Sequence, residues 1–403
     1  MNLKPGFHDE TNALKNLIHF HTKPEISSLL SEEMILGIGG GIGYGYFTFY
    51  YEKEDFSSFF LGTRANWESH VDFVTDVLAN LGVNVQSKQT KSKKLALDQL
   101  VEHIEKGNPP VIAIHTGVFE DHNIVQAGYP VYTIVNEIDK VKGTATVVHR
   151  FSEPVQVQLE DLIEGRYNLA TSKLINQAVL IKEPAEFLAI DEERIILAAK
   201  KGIELTIKHA NNPRMSNFGI TALDKWIERL TMKGKQGWMK LFSKPHQFID
   251  ALYYSFKYIV FNTDGSAFRK AYSTFLKFVG EKLENHLLLE ASDAFEESSI
   301  LWGKLANASL PNEVEAFGNI KELFYDLNNK ILVGETNHKS FITTLREIRE
   351  NKREAATTFH WEDEMKMAHL SNMKEILTQI REKEAFALQK LEQAVQSESW
   401  ERV

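Results

Sequence analysis

The chain has 403 residues, of which 43% are hydrophobic and 25% are charged, as in an ordinary globular protein. Its formal net charge of -9 argues against a nucleic-acid partner, which would need a concentrated basic surface. The absence of cysteine excludes disulfides, thiolate metal ligands and a cysteine nucleophile.

The N-terminal residues lack the apolar run of a signal peptide, and no run of roughly 18 apolar residues predicts a membrane-spanning helix. We therefore expect a cytoplasmic protein without a membrane partner.

The first 183 residues combine helix and strand patterns. Apolar residues at helical spacing predict helices over residues 12–20, 30–38, 70–81 and 95–104. An aromatic run predicts a strand over residues 44–51, and short β-type runs predict strands over 111–115, 131–135 and 145–149, with Gly143 at a turn. Residues 159–169 and 172–180 are interpreted as closing elements. This order is typical of an α+β domain with segregated layers.

After Pro184 the pattern is helical almost throughout, which predicts an all-α C-terminal part. Helices are expected over residues 191–209, 220–230, 246–261, 268–284, 288–306 and 313–332, followed by a charged helical tail over 341–395. Such a tail suits a bundle arm or a homodimer contact. We predict three domains, over residues 1–183, 184–310 and 311–403.

The glycine-rich stretch from Gly37 to Gly45 has the composition of a phosphate-binding loop but not its context. A dinucleotide site needs its glycines between a strand and the N-terminus of a helix. Here a helical pattern precedes the glycines and a strand pattern follows them. We interpret them as a place of close backbone packing, which can also line a substrate channel.

The residues His8, Asp9 and Glu10 stand directly before the first predicted helix. A nucleophile at that position gains stabilisation of its anion from the helix dipole and the free amides. The alternative is that Asp9 or Thr11 simply caps the helix.

Several blocks of the sequence resemble the butirosin biosynthesis protein H family. The run from His8 to Leu17 is similar to the family's His-Cys-Glu-Ser/Thr motif and the Ala-Leu-Arg-Asn-Leu run after it. Further similar blocks are Leu30–Met34 with Gly37–Tyr44, Phe60–Arg64, Asn108–Val111, Ser216–Gly219, Phe268–Leu276 and Trp302. Arg269 and Trp302 are interpreted as packing and hydrogen-bonding residues of the helical part.

The resemblance implies a papain-like or C39-peptidase-like N-terminal domain that transfers an acyl group from a carrier-protein thioester to an amine. The family uses a Cys nucleophile, a His base and an orienting Asp. Here Asp9 takes the Cys position, the segment Gly128–Val131 lacks the His, and the position of the orienting Asp falls near His149. The candidate catalytic residues are Asp9, His8 and His149. The candidate substrate-binding residues are Glu10, Gly39, Gly40, Gly41, Arg64, His115 and Tyr129.

Two functions stay open at this point. The first is an acyltransferase without a Cys nucleophile, in which Asp9 is the general base that deprotonates the incoming amine. The second is a non-catalytic relative that binds a carrier protein, a substrate or an active paralogue. The expected partners are a small amine or acyl substrate and an acyl carrier protein, and no cofactor is expected. A metal site of His8, Asp9, His115 and His149 is a further alternative.

Overall fold

A computed structural model of the protein describes residues 3–64, 73–120, 129–169 and 174–401. The chain forms two compact units, each assembled from three separate stretches. The first unit comprises Met1–Ile35, Asp72–Ala198 and Leu327–Arg346, and the second comprises Leu36–Val71, Ala199–Asp326 and Glu347–Val403. The division into three consecutive domains stays a prediction.

A sheet-containing N-terminal region is followed by a helical C-terminal region, so the mixed α and β class is confirmed. The strands are β1 (Gly45–Tyr51), β2 (Phe56–Gly62), β3 (Val85–Lys88), β4 (Val111–His115), β5 (Pro130–Asp139), β6 (Thr144–Val147), β7 (Val155–Gln158) and β8 (Ala178–Ile181). Short 3-10 helices cover Pro184–Ala189 and Glu398–Glu401.

The α-helices extend over both regions and include the long tail. In chain order they are α1 (Asp9–His21), α2 (Pro24–Ser27), α3 (Glu32–Ile38), α4 (Phe73–Asn80), α5 (Lys93–Glu105), α6 (Gly117–Glu120), α7 (Leu159–Tyr167), α8 (Glu192–Asn211), α9 (Thr221–Thr231), α10 (Trp238–Leu241), α11 (Pro245–Val260), α12 (Arg269–Lys282), α13 (His286–Ser309), α14 (Glu315–Leu332), α15 (His338–Thr358) and α16 (Asp363–Ala394). Residues 70–72 of the predicted 70–81 helix and residues 172–173 of the predicted closing element lie outside the described residues. Within the described ranges, no helix is both long and apolar enough to cross a bilayer.

The first unit is built on an antiparallel sheet with the strand order β3-β8-β4-β5-β6-β7. Every residue of β4 is buried, as expected for an apolar run in the middle of a sheet. Helix α1 packs on β5, and the Glu10 carboxylate accepts a hydrogen bond from the backbone amide of Tyr132 at 3.3 Å. The helix therefore begins beside the strand that was expected to carry the catalytic base.

In the second unit the glycine-rich stretch is a packing surface, as the sequence indicated. A Cβ atom at Gly37 would overlap the ring of Phe275, and one at Gly41, where φ is +59°, would overlap the ring of Tyr272. A Cβ atom at Gly202 would overlap the carbonyl of Gly37. These glycines are needed because neighbouring side chains and backbone occupy the space that a Cβ would take.

The core of the second unit contains a buried ion pair between α12 and α16. Arg269 and Glu384 are both 0% exposed, and Arg269 Nε and Nη2 each donate to the carboxylate at 2.9 Å. Ser298 Oγ and Trp302 Nε1 each donate to the same carboxylate at 2.6 Å. Burial alone would raise the pKa of Glu384, but the Arg269 charge and these donors hold it below its usual value. The interpretation of Arg269 and Trp302 as packing and hydrogen-bonding residues is thus confirmed.

Candidate functional site

The candidate site lies at the N-terminus of α1 in the first unit. The helix begins at Asp9, and the residue that caps it is His8, whose Nδ1 accepts a hydrogen bond from the backbone amide of Thr11 at 3.5 Å. The alternative that Asp9 or Thr11 caps the helix is therefore wrong. Asp9 is instead the first helical residue, where the helix dipole stabilises a negative charge.

Glu32 fixes the segment that leads into this helix. Its carboxylate accepts hydrogen bonds from the amides of Phe7 and His8 at 3.1 and 3.3 Å, and from Thr11 Oγ1 at 2.8 Å. Lys15 Nζ lies 3.5 Å from the same carboxylate. Burial raises the pKa of Glu32, against the opposing effects of Lys15 and the hydrogen bonds. These bonds hold Asp9 in a defined position.

Asp9 directs its Oδ1 atom towards the segment that follows strand β6. This atom lies 3.4 Å from His149 Nε2 and 3.9 Å from Arg150 Nε. Among the described residues, Oδ1 has no hydrogen-bond partner of regular geometry, so its contacts with these nitrogens are those of close neighbours. The Asp9 side chain is 18% exposed, whereas His149 and Arg150 are each 4% exposed. Asp9 is therefore the outer member of the group.

Aromatic rings enclose the imidazole of His149. Phe151 stacks on it with the ring centroids 4.7 Å apart, and Phe119 and Phe341 meet it at steep angles, with centroids at 4.6 and 5.7 Å. His338 Nε2 donates to the carbonyl oxygen of Phe119 at 2.8 Å. His338 and Phe341 come from the first turn of α15, so a distant part of the chain completes the enclosure.

This enclosure decides the charge of the site. Burial lowers the pKa of His149 to about 4; Asp9 and Glu120 oppose this shift, and Arg150 and His338 reinforce it. The imidazole is therefore neutral at neutral pH, although its distance from Asp9 would suit an ion pair. The charge of Asp9 is balanced by Arg150 and by the amides of the helix terminus. Within the described part of the chain, His149 Nδ1 has no hydrogen-bond partner.

The other predicted residues of the first unit contribute to its internal structure. Glu10 is buried against β5, as described above. His115 is buried at the end of β4, and its Nδ1 accepts a hydrogen bond from the amide of Gly117 at 3.1 Å. Tyr129 is 37% exposed, and its amide donates to Thr116 Oγ1 at 3.0 Å.

The remaining predicted residues belong to the second unit, and the proposed metal site does not form. The segment Leu36–Val71 of that unit contains four of them, which are Gly39, Gly40, Gly41 and Arg64. No group of three or more His, Asp or Glu side chains suited to a metal ion occurs among the described residues. The alternative of a metal site at His8, Asp9, His115 and His149 is therefore wrong.

The sequence left out several residues that shape the site. Glu32 lies within the matched block Leu30–Met34, so its position could have been suspected. Arg150 follows His149 directly, but nothing in the pattern connects it with Asp9. Phe341 and His338 carry no local signal, because only the tertiary fold brings α15 to His149. The absence of a His from the segment Gly128–Val131 also suggested that the strands facing Asp9 carry no imidazole. In the structure, His149 in the segment after β6 faces Asp9.

The first unit thus combines an antiparallel sheet with a candidate site at the N-terminus of helix α1. Residues 8–137 match the sequence model of the family described as butirosin biosynthesis protein H, N-terminal. The resemblance to that family is therefore confirmed over residues 8–137, about a third of the chain. No curated protein matches the chain.

Proposed function

We propose that this protein is a non-catalytic relative of the family's acyltransferases, with a papain-like N-terminal domain, and that it acts by binding in a biosynthetic pathway. One observation carries the proposal. The nucleophile position holds Asp9, which lies in front of an imidazole enclosed by aromatic rings.

Covalent acyl transfer is unfavourable with these groups. Attack of the Asp9 carboxylate on a thioester would give a mixed anhydride, a more reactive acyl donor than the thioester from which it formed. A carboxylate is also a weaker nucleophile towards a thioester than the thiolate whose position it takes. His149, with a pKa of about 4, is also a poor base near neutral pH.

The ligands of such a relative are those of the ancestral reaction. They are an acyl or aminoacyl thioester, the carrier protein that bears it, an amine acceptor, or an active paralogue. Binding of any of these needs the fold but no nucleophile, which agrees with the absence of cysteine.

A second function is favoured by the partial exposure of Asp9. Because Asp9 is the outer member of the group and is 18% exposed, an amine could reach it while His149 could not be reached. Asp9 would then accept a proton from the amine as its nitrogen attacks the carbonyl carbon of a bound thioester. The C–N bond forms, the C–S bond breaks, and the carrier thiol leaves with that proton, without a covalent enzyme intermediate.

The test uses the full chain with acyl-carrier thioesters and candidate amines, followed by mass spectrometry. The native chain and Asp9→Ala are expected to give the same product level as buffer. Product formation by the native chain that is lost in Asp9→Ala would refute the non-catalytic proposal and support the general-base function.

A cysteine probe shows whether the site at Asp9 still receives an acyl group. Asp9→Cys places a thiol at the nucleophile position, and Glu25→Cys, at an exposed residue, is the matched control. Faster acylation of the thiol in Asp9→Cys than in Glu25→Cys would identify the acyl group as the ligand. Equal acylation would point to the carrier protein's own surface, the amine or a paralogue as the ligand.

A further inference from the structure

Helices α13 and α16 form an open groove on the second unit. The two helices run antiparallel, because Glu290 pairs with Lys390 at 2.6 Å and Glu297 pairs with Lys383 at 2.5 Å. The groove has a volume of about 620 Å³. Each helix lines it with residues at positions i, i+3, i+4 and i+7, which are Glu297, Ile300, Leu301 and Lys304 on α13 and Gln379, Glu382, Lys383 and Phe386 on α16.

Large apolar side chains border this groove. Ile300 is 55% exposed and Phe386 is 45% exposed, and they come from different helices. Single exposed apolar residues are common on protein surfaces, but these two share one groove, in which they lie on either side of the Glu297–Lys383 ion pair.

The groove carries charges of both signs, so two copies of the same surface can pair with each other. Glu297 and Lys383 neutralise each other, while Lys304 and Glu382 have no ion-pair partner among the described residues. Glu382 adjoins Lys383 and so lies near the Glu297 end of the groove. Lys304 lies seven residues beyond Glu297 on α13, a distance of about 10 Å along the helix axis. The free negative and positive charges thus stand roughly 9 Å apart along the helix axis.

We propose that this groove is the interface of a homodimer. A twofold axis midway between Lys304 and Glu382 would bring Lys304 to the partner's Glu382, and Glu382 to the partner's Lys304, with Ile300 covered between them. Twofold interfaces require this kind of self-complementary surface. The two glutamates and two lysines cancel locally, so the net charge of the chain does not oppose contact here. The proposal goes beyond the proposed function and does not depend on it.

The test measures the molar mass of the full chain by sedimentation velocity over a series of protein concentrations. The native chain is expected to show a monomer–dimer equilibrium. Lys304→Glu and Glu382→Lys are each expected to weaken the dimer about tenfold, because each change replaces two attractive contacts per dimer with repulsive ones. The double variant restores both pairs with their signs exchanged, so its dimer should return towards the native affinity.

Apolar substitutions provide the matched control. Ile300→Asp is expected to abolish the dimer, whereas Met365→Asp, on an exposed part of α16 outside the groove, should leave it unchanged. Circular dichroism verifies that each variant is folded. A native chain that stays monomeric, a dimer indifferent to Ile300→Asp, or a double variant no tighter than the single ones would overturn the proposal.

Discussion

Removal of the Glu384 carboxylate tests the buried ion pair directly. In Glu384→Ala the Arg269 guanidinium stays inside the second unit, where it is 0% exposed. It has carbonyl acceptors, including that of Ala267 at 2.7 Å, but no carboxylate to balance its charge. A buried charge without a counter-charge is the reason that loss of one partner of such a pair is costly.

The structure places this loss near the upper end of single-residue effects. The carboxylate accepts two bonds from Arg269 at 2.9 Å and two at 2.6 Å from Ser298 and Trp302. We therefore expect Glu384→Ala to lower the free energy of unfolding by about 3–5 kcal/mol. Combining Glu384→Leu with Arg269→Met removes both charges and should recover part of this loss, because well-packed apolar replacements of buried pairs are often tolerated.

Urea unfolding followed by circular dichroism measures these differences. The matched control is Arg381→Ala, which removes an exposed pair with Asp224 whose Nε–Oδ1 distance is 2.8 Å. This control should cost less than about 1 kcal/mol, since solvent screens the pair. A loss in Glu384→Ala no larger than that of the control would refute the reasoning from burial.

Further predictions concern His149, Glu32 and Gly202. The folded pKa of His149 is about 4, below its ordinary value of 6.5, so its contribution to stability should be constant above about pH 6.5 and fall by on the order of 3 kcal/mol towards pH 4. The difference between the native chain and His149→Gln in urea unfolding over this pH range isolates that contribution from those of the other histidines. Glu32→Ala should cost about 2–4 kcal/mol and speed proteolysis near the start of α1, and an unchanged cleavage rate would contradict its clamping role. Gly202→Ala should destabilise the protein by about 1–3 kcal/mol in thermal unfolding, because the added Cβ meets the carbonyl of Gly37. The control Gly303→Ala, where the added Cβ has open space, should stabilise the protein by about 0.5–1 kcal/mol.

The long periodic elements could be predicted from the sequence. The pattern over residues 191–209 corresponds to α8 (Glu192–Asn211), and that over 220–230 corresponds to α9 (Thr221–Thr231). Strands β3 and β7 were missed because each has only four residues and polar side chains at half or more of its positions. The strand predicted over residues 145–149 ends at Val147, so His149 lies in the following segment, from which it turns inward.

The candidate site was predicted in outline only. Local sequence placed Asp9 at the tip of a helix, and the resemblance brought His149 into consideration. Its contact with Asp9 depends on the pairing of β5 with β6, and its neutral state depends on rings that come from α6 and α15. Pairing of strands and docking of distant helices are tertiary properties, which periodicity does not encode.

The membership of residues 327–346 in the first unit has a consequence for how the protein is made. During synthesis the ribosome releases the sheet of this unit long before it releases the first turn of α15, so the ring of Phe341 reaches His149 late. Until then the imidazole has its contacts with Phe119 and Phe151 but lacks the ring of Phe341. A fragment cut at residue 183 would lack the ring of Phe341, so experiments on the acid–base behaviour of the site need the chain at least to Arg346.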